Sequence, residues 1–125
     1  MVDDHRSFRH TLRSFLELHP NWEVCGEASD GCEAVMRTTE LHPDIIIMDL
    51  DMPGLNGLEA TRRIHMLSPS IPILILSLHE NSVLLRIAQE SGAQGYVLKS
   101  EPFSVLVRAI ETLGKSESFF VSSHA

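Results

Sequence analysis

Asp49 ends an apolar run, Asp44-Ile45-Ile46-Ile47-Met48-Asp49, and Leu50-Asp51-Met52-Pro53-Gly54-Leu55-Asn56-Gly57 follows at once. Asp3 and Asp4 stand near the start of the chain, and Lys99 closes a later apolar run. Three acids and one lysine at strand ends can hold a divalent metal and a phosphoryl group together. A carboxylate can attack phosphorus to give an acyl phosphate, but an anion approaching an anionic donor is repelled. A hard cation such as Mg²⁺ removes that repulsion and takes oxygen ligands from one or two carboxylates plus water and phosphate. Without a cation, clustered carboxylates raise each other's pKa, so the cluster itself argues for a bound metal. Lys99 can neutralise phosphoryl oxygens and the Ser77 hydroxyl can donate to one of them, the positioning and charge stabilisation on which phosphoryl transfer depends. Pro53-Gly54 would hold the loop so that a backbone carbonyl, that of Asp51, completes the coordination.

These residues lie almost 100 positions apart, so a fold must gather them. Phe8, Leu12, Phe15 and Leu16 make one apolar helical stripe over about residues 6–18. His19-Pro20-Asn21 stops it, and Trp22 to Ala28 reads as a short strand. Asp30 suits the N-cap of a helix carrying Ala34, Val35, Thr38 and Leu41, which His42-Pro43 ends. Residues 44–49 and 71–77 are apolar without alternation, as in strands covered on both faces of a parallel sheet. Between them a helix is expected over about 56–66. Asn81 or Ser82 can cap the next helix, with Gly92 at its C-cap. Residues 95–99 are the last strand, and Pro102 can open the last helix as its first residue. Alternating strands and helices with short links predict a doubly wound α/β sheet. Such sheets bind ligands at the carboxyl ends of their strands, where Asp49, Ser77 and Lys99 fall, with Asp3-Asp4 after a first strand.

Size and composition set outer limits. The chain of 125 residues makes one domain, and 43% apolar with 22% charged residues is ordinary globular composition. No apolar run approaches the roughly 20 residues of a membrane span, and no signal-peptide pattern opens the chain, so the cytoplasm is the default compartment. A formal net charge of −7 makes a poor nucleic-acid binder. The seven histidines show no HExxH or HxH pattern, and Cys25 and Cys32 have no CxxC spacing.

Five separated blocks in order carry a family resemblance: Asp3-Asp4-His5 with Phe8-Arg9; Gly26-Glu27-Ala28-Ser29-Asp30-Gly31; Asp49 through Gly57; Ser77-Leu78-His79; and Gly92-Ala93 with Gly95-Tyr96-Val97-Leu98-Lys99. With them the chain resembles a response-regulator receiver domain of the two-component systems, most of all the branch named for NarL and FixJ. The resemblance implies a flavodoxin/CheY-like, five-stranded parallel sheet in the order 2-1-3-4-5. It also implies that Asp49 is the phospho-acceptor, that Asp4, Asp49 and the Asp51 carbonyl ligate Mg²⁺, and that Asp3 holds a metal-bound water. Ser77 and Lys99 would contact the phosphoryl group. Ser77 and Tyr96 would act as the switch, the hydroxyl moving toward the phosphate as the aromatic turns inward. The donor would be a phosphohistidine on a sensor histidine kinase, and the expected outcome a phosphorylation-dependent homodimer. The domain is expected over residues 1–115. Residues 116–125 would be a tail or the start of a linker to an output domain, through which alone DNA would be bound. Asp51 and His79 are placed to tune the lifetime of the acyl phosphate.

Only Met1 and Val2 precede the acid pair where the family has several apolar residues, so a truncated first strand is expected. Its loss would strip ladder bonds from both neighbours and leave a void, unless rearrangement or another chain fills the slot. Two other functions are compatible with parts of the pattern. A receiver-like module that only mediates assembly would not be phosphorylated. A small aspartate-nucleophile phosphatase would share the Asp49-Leu50-Asp51 pattern, but Pro53 stands where it needs Thr or Val, and its further acids follow the nucleophile. A signalling switch, not an enzyme, is the expected function.

Overall fold

The computed structural model describes residue 1 and residues 6–50, 57–78 and 81–120, with residues 6–8 described by their backbone alone. Helix α1 (Arg6–Leu16) is followed by α2 (Gly31–Leu41), β1 (Ile46–Asp49), α3 (Gly57–Leu67) and β2 (Ile73–Ser77). Next come α4 (Ser82–Glu90), β3 (Gly95–Leu98), α5 (Phe103–Gly114) and a two-residue strand, β4 (Phe119–Phe120). The described strands form one parallel sheet in the order β1-β2-β3-β4.

Each strand side chain alternates between two apolar layers, as the two-residue repeat of a strand requires. Ile46, Met48, Ile73, Ile75, Tyr96 and Leu98 pack toward α2, α3 and α4, with Ala34, Ala60, Ile64 and Ala88. Ile47, Leu74, Leu76 and Val97 face the other way, onto Leu12 and Leu16 of α1 and Leu106, Ala109, Ile110 and Leu113 of α5. Covering both faces explains why these strands read as unbroken apolar runs. The expected doubly wound α/β fold is therefore present.

The helix ends follow local rules. Asp30 caps α2, its carboxylate accepting from the Glu33 N–H at 2.8 Å. Asn81 caps α4 by accepting from the Val83 and Leu84 amides. Gly92 adopts φ +108 just after α4, a conformation that glycine takes without strain. Pro102 is not the first residue of α5, as expected, but its N-cap: its ψ of 151 is extended, and the helix begins at Phe103.

The expected strand over Trp22–Ala28 does not form. Only Ala28 has a bridge, its N–H donating to the Met1 carbonyl at 3.0 Å, while the Met1 ammonium donates to the Gly26 carbonyl at 3.4 Å. Met1 thus bonds to the residues on either side of Glu27, as a residue in a parallel pair does. Among the described residues, Glu23, Val24 and Cys25 make no backbone hydrogen bond. A strand needs a partner along its length, and here the described partner is one residue long. Beyond it lies a cleft of about 670 Å³ between Val24, Gly26, Leu41, Ile46 and Ile47, with Ile110 at one wall. Burial at its rim pushes the Met1 ammonium pKa below the ordinary value, against the opposing pull of Cys25 and Glu27.

Side chains hold this segment where ladder bonds do not. The Glu27 carboxylate receives Arg9 Nε at 2.9 Å and also the Arg13 guanidinium, tying the segment to α1. Burial opposes the charged form of Glu27, yet the hydrogen bond and charge of Arg13, with those of Arg9, outweigh it and keep its pKa below the usual glutamate range. A carboxyl depressed by folding stabilises above its unfolded pKa, and that contribution fades as pH falls through the folded value. Glu27→Gln should therefore lower stability by about 0.5–1 kcal/mol at neutral pH, the scale of a solvent-screened ion pair. Urea unfolding of parent and variant should converge as pH falls below the ordinary glutamate range. A constant gap across that range would contradict the role given to the pair.

Candidate functional site

Three strand ends meet at the carboxyl edge of the sheet. In β1 Asp49 lies opposite Leu76, and in β2 Ser77 lies opposite Leu98. The Leu50 N–H donates to the Leu76 carbonyl at 3.0 Å, and the Lys99 N–H to the Ser77 carbonyl at 2.8 Å, so pairing continues one residue past each strand. By alternation Asp49 continues the row of Ile47, and Lys99 the row of Val97, across the same face of the sheet. Ser77 belongs to the other row, with Ile73 and Ile75, and is fully buried.

The side chains of Asp49 and Lys99 meet. Lys99 Nζ lies 2.9 Å from Asp49 Oδ2, with side-chain exposures of 7% and 0%. Almost no water reaches this pair, so the ammonium must supply the stabilisation that solvent cannot. Asp49, Ser77 and Lys99 all lie at this one edge, as expected from their places at strand ends. Tyr96 is buried on β3, opposite Ile75. Asp3, Asp4, Asp51 and His79 lie outside the described residues.

Two further residues at this edge have roles that the sequence does not announce. An added Cβ on Gly57 would lie 2.5 Å from the Asp49 carbonyl oxygen and 3.1 Å from Leu50 Cα. Gly57 is thus where α3 starts hard against the backbone of Asp49, a close approach that glycine permits. Thr61, wholly buried, donates its hydroxyl to the Gly57 carbonyl at 2.7 Å and holds that first turn. An Asn-Gly pair before a helix signals a turn, but backbone proximity to Asp49 is not written in it.

Among the described residues this edge supplies one candidate ligand for a hard cation. A buried carboxylate is the oxygen donor that Mg²⁺ prefers, and Asp49 is the expected ligand within the described residues. Among those residues no three His, Cys, Asp or Glu side chains converge as a metal cluster; the other expected ligands, Asp3, Asp4 and the Asp51 carbonyl, lie outside them.

The family profile of the response regulator receiver domain matches residues 1–111. The transcriptional regulatory protein LiaR of Bacillus subtilis is 41% identical over 119 residues, covering 94% of this chain and 56% of LiaR. A two-component response regulator of the LuxR family from Aurantimonas superposes with a TM-score of 0.93 at 40% identity, covering 98% of this chain and 86% of that one. The isolated receiver domain of RcsB from Salmonella enterica, solved with the phosphomimetic BeF3⁻, gives 0.87 at 28% identity, covering 96% and 89%. The chain spans about half the length of the curated relatives it matches. Those relatives bear the names of transcriptional regulatory proteins, not of enzymes. Among the described residues, no helix is long and apolar enough to cross a membrane.

Breaking a buried ion pair by removing one partner strands the other charge, at a cost of roughly 3–5 kcal/mol. Lys99→Met should destabilise the protein by about 3 kcal/mol, and adding Asp49→Asn should restore most of the loss. Urea unfolding with chelator present measures both. Additive losses in the double variant would show that the pair is not coupled.

Proposed function

Because this chain belongs to the response-regulator receiver domains, in the LuxR/NarL-type branch, we propose that it is a signalling switch thrown by phosphorylation of Asp49. The observation that carries this reading is the buried contact between the Asp49 carboxylate and the Lys99 ammonium at the carboxyl edge of the sheet. A carboxylate oxygen of Asp49 attacks phosphorus, the Asp49 O–P bond forms, and the P–N bond to a histidine of a sensor kinase breaks. The leaving imidazole takes up a proton. Lys99 holds its charge beside the developing phosphoryl oxygens, and the Ser77 hydroxyl donates to one of them. Receiver domains generally bind Mg²⁺ at the phosphorylation site. Here Asp4, Asp49 and the Asp51 carbonyl would hold the ion, with Asp3 on a bound water, and it would supply the positive charge that offsets the repulsion between acceptor and donor.

Ser77 and Tyr96 are the switch residues in this reading, and Asp51 and His79 tune how long the acyl phosphate survives. Residues 1–115 would form the receiver unit, and 116–125, of which Phe119–Phe120 adds to the sheet, would be a C-terminal tail or the start of a linker to an output domain, which alone would contact DNA. The phosphorylated form pairs with a second copy in the cytoplasm. An assembly module without phosphorylation gives no reason for a carboxylate buried at the ligand-binding edge of the sheet, and a phosphatase lacks support among the relatives' names.

Acetyl phosphate with Mg²⁺ should add about 80 Da, one HPO₃, to the intact protein. Asp49→Asn or chelation of the metal should prevent the addition. An unmodified parent, or a modified Asp49→Asn variant, would overturn the assignment. Once the phosphoprotein is in hand, Asp51→Asn and His79→Ala should each change the rate of phosphate release by a factor of two or more (about 0.4 kcal/mol in the barrier). Rates equal to the parent's would remove both residues from the tuning role.

A further inference from the structure

After α5 the chain turns back and adds to the sheet. Phe119 pairs with Gly95 and Phe120 with Tyr96, parallel to β3, and the Phe119 N–H donates to the Gln94 carbonyl at 2.9 Å. The two phenylalanines face opposite ways. Phe119 joins the layer of α1 and α5, beneath the Arg108 guanidinium at 5.8 Å from its ring centre. Phe120 packs into the layer that holds Tyr96. Gly95 makes the approach possible, since an added Cβ would meet Leu74 Cδ1 at 2.5 Å and the Phe119 carbonyl at 3.3 Å.

This contact sits on the strand that leads into the site. Tyr96 lies three residues before Lys99, with Ile75 of β2 on one side and Phe120 of β4 on the other. Lys99 in turn meets Asp49 through its ammonium and Ser77 through its amide. A phosphoryl group is larger and more negative than a carboxylate. It would draw Lys99 and Ser77 onto its oxygens and bind the ends of β2 and β3 more tightly to β1. A two-residue strand has little stability of its own, since local opening costs least where few contacts are buried. Its docking therefore depends on how firmly β3 and the Tyr96 ring are seated.

We propose that Phe119–Phe120 is a latch on the β3 edge, which phosphorylation of Asp49 tightens and which thereby fixes the path of the chain leaving α5. The relatives are about twice as long as this chain, so a latch at this point would govern how anything beyond it is held. The proposal rests on Asp49 being the phospho-acceptor.

Hydrogen exchange of the 125-residue chain, read at the Phe119 amide, tests it. Phe120→Ala should speed that exchange about fivefold without phosphorylation, while Ile75 and Val97 amides stay unchanged. Equal rates at Phe119 in parent and variant would show that the strand is not latched by Phe120. Beryllofluoride with Mg²⁺, a phosphoryl mimic, should slow the parent's Phe119 exchange about fivefold or more and leave Asp49→Asn unaffected. Fluorine NMR reports in the same samples whether the adduct forms. An adduct without slower exchange overturns the latch alone, whereas no adduct at all overturns the acceptor assignment and the latch with it.

Discussion

A carboxylate shut away from water needs a partner to offset its lost hydration, and Asp49 has Lys99 at 2.9 Å. Much of the described fold serves to bring about that meeting. The two side chains lie fifty positions apart in the sequence. The parallel pairing of β1, β2 and β3 brings their ends together, and the register of Asp49 against Leu76 and Ser77 against Leu98 sets which residues share the edge. Alternation then puts Asp49 and Lys99 on one face. A slip of one residue in either pairing would move a charge to the opposite face. The apolar layers that lock the register are in this sense part of the site.

How much of this was legible beforehand depended on whether the signal was local. Ile46–Asp49, Ile73–Ser77 and Gly95–Leu98 were readable because burial on both faces leaves an unbroken apolar run. Asp30 and Asn81 were readable because a cap is a bond between neighbours in sequence. Trp22–Ala28 was misread for the opposite reason: its composition suits a strand, but pairing depends on a partner elsewhere, and Met1 alone serves it among the described residues. Strand β4 also went unread, because two phenylalanines carry no period. Gly57 and Thr61 matter through their distance to the Asp49 backbone and to each other, which no single sequence displays.

Among the described residues the two sides of the sheet differ. On the β1 side a cleft lies between Ile46–Ile47 and Val24–Gly26, and Glu27 holds the outer segment through Arg9 and Arg13. On the β3 side the chain covers its own edge with Phe119–Phe120, a common way to remove unpaired backbone groups. Partly exposed charges hold the segment beside the cleft, a buried ion pair holds the site, and packing holds Phe119–Phe120 on the β3 edge.

All of this turns on where a phosphoryl group lands. Borohydride reduces an acyl phosphate to an alcohol, so a phosphorylated aspartate becomes homoserine, and peptide mass spectrometry locates it. The account predicts homoserine at position 49 after treatment with acetyl phosphate and Mg²⁺, and at no other acid. Homoserine at another carboxylate, or none in a protein that has gained phosphate, would contradict it.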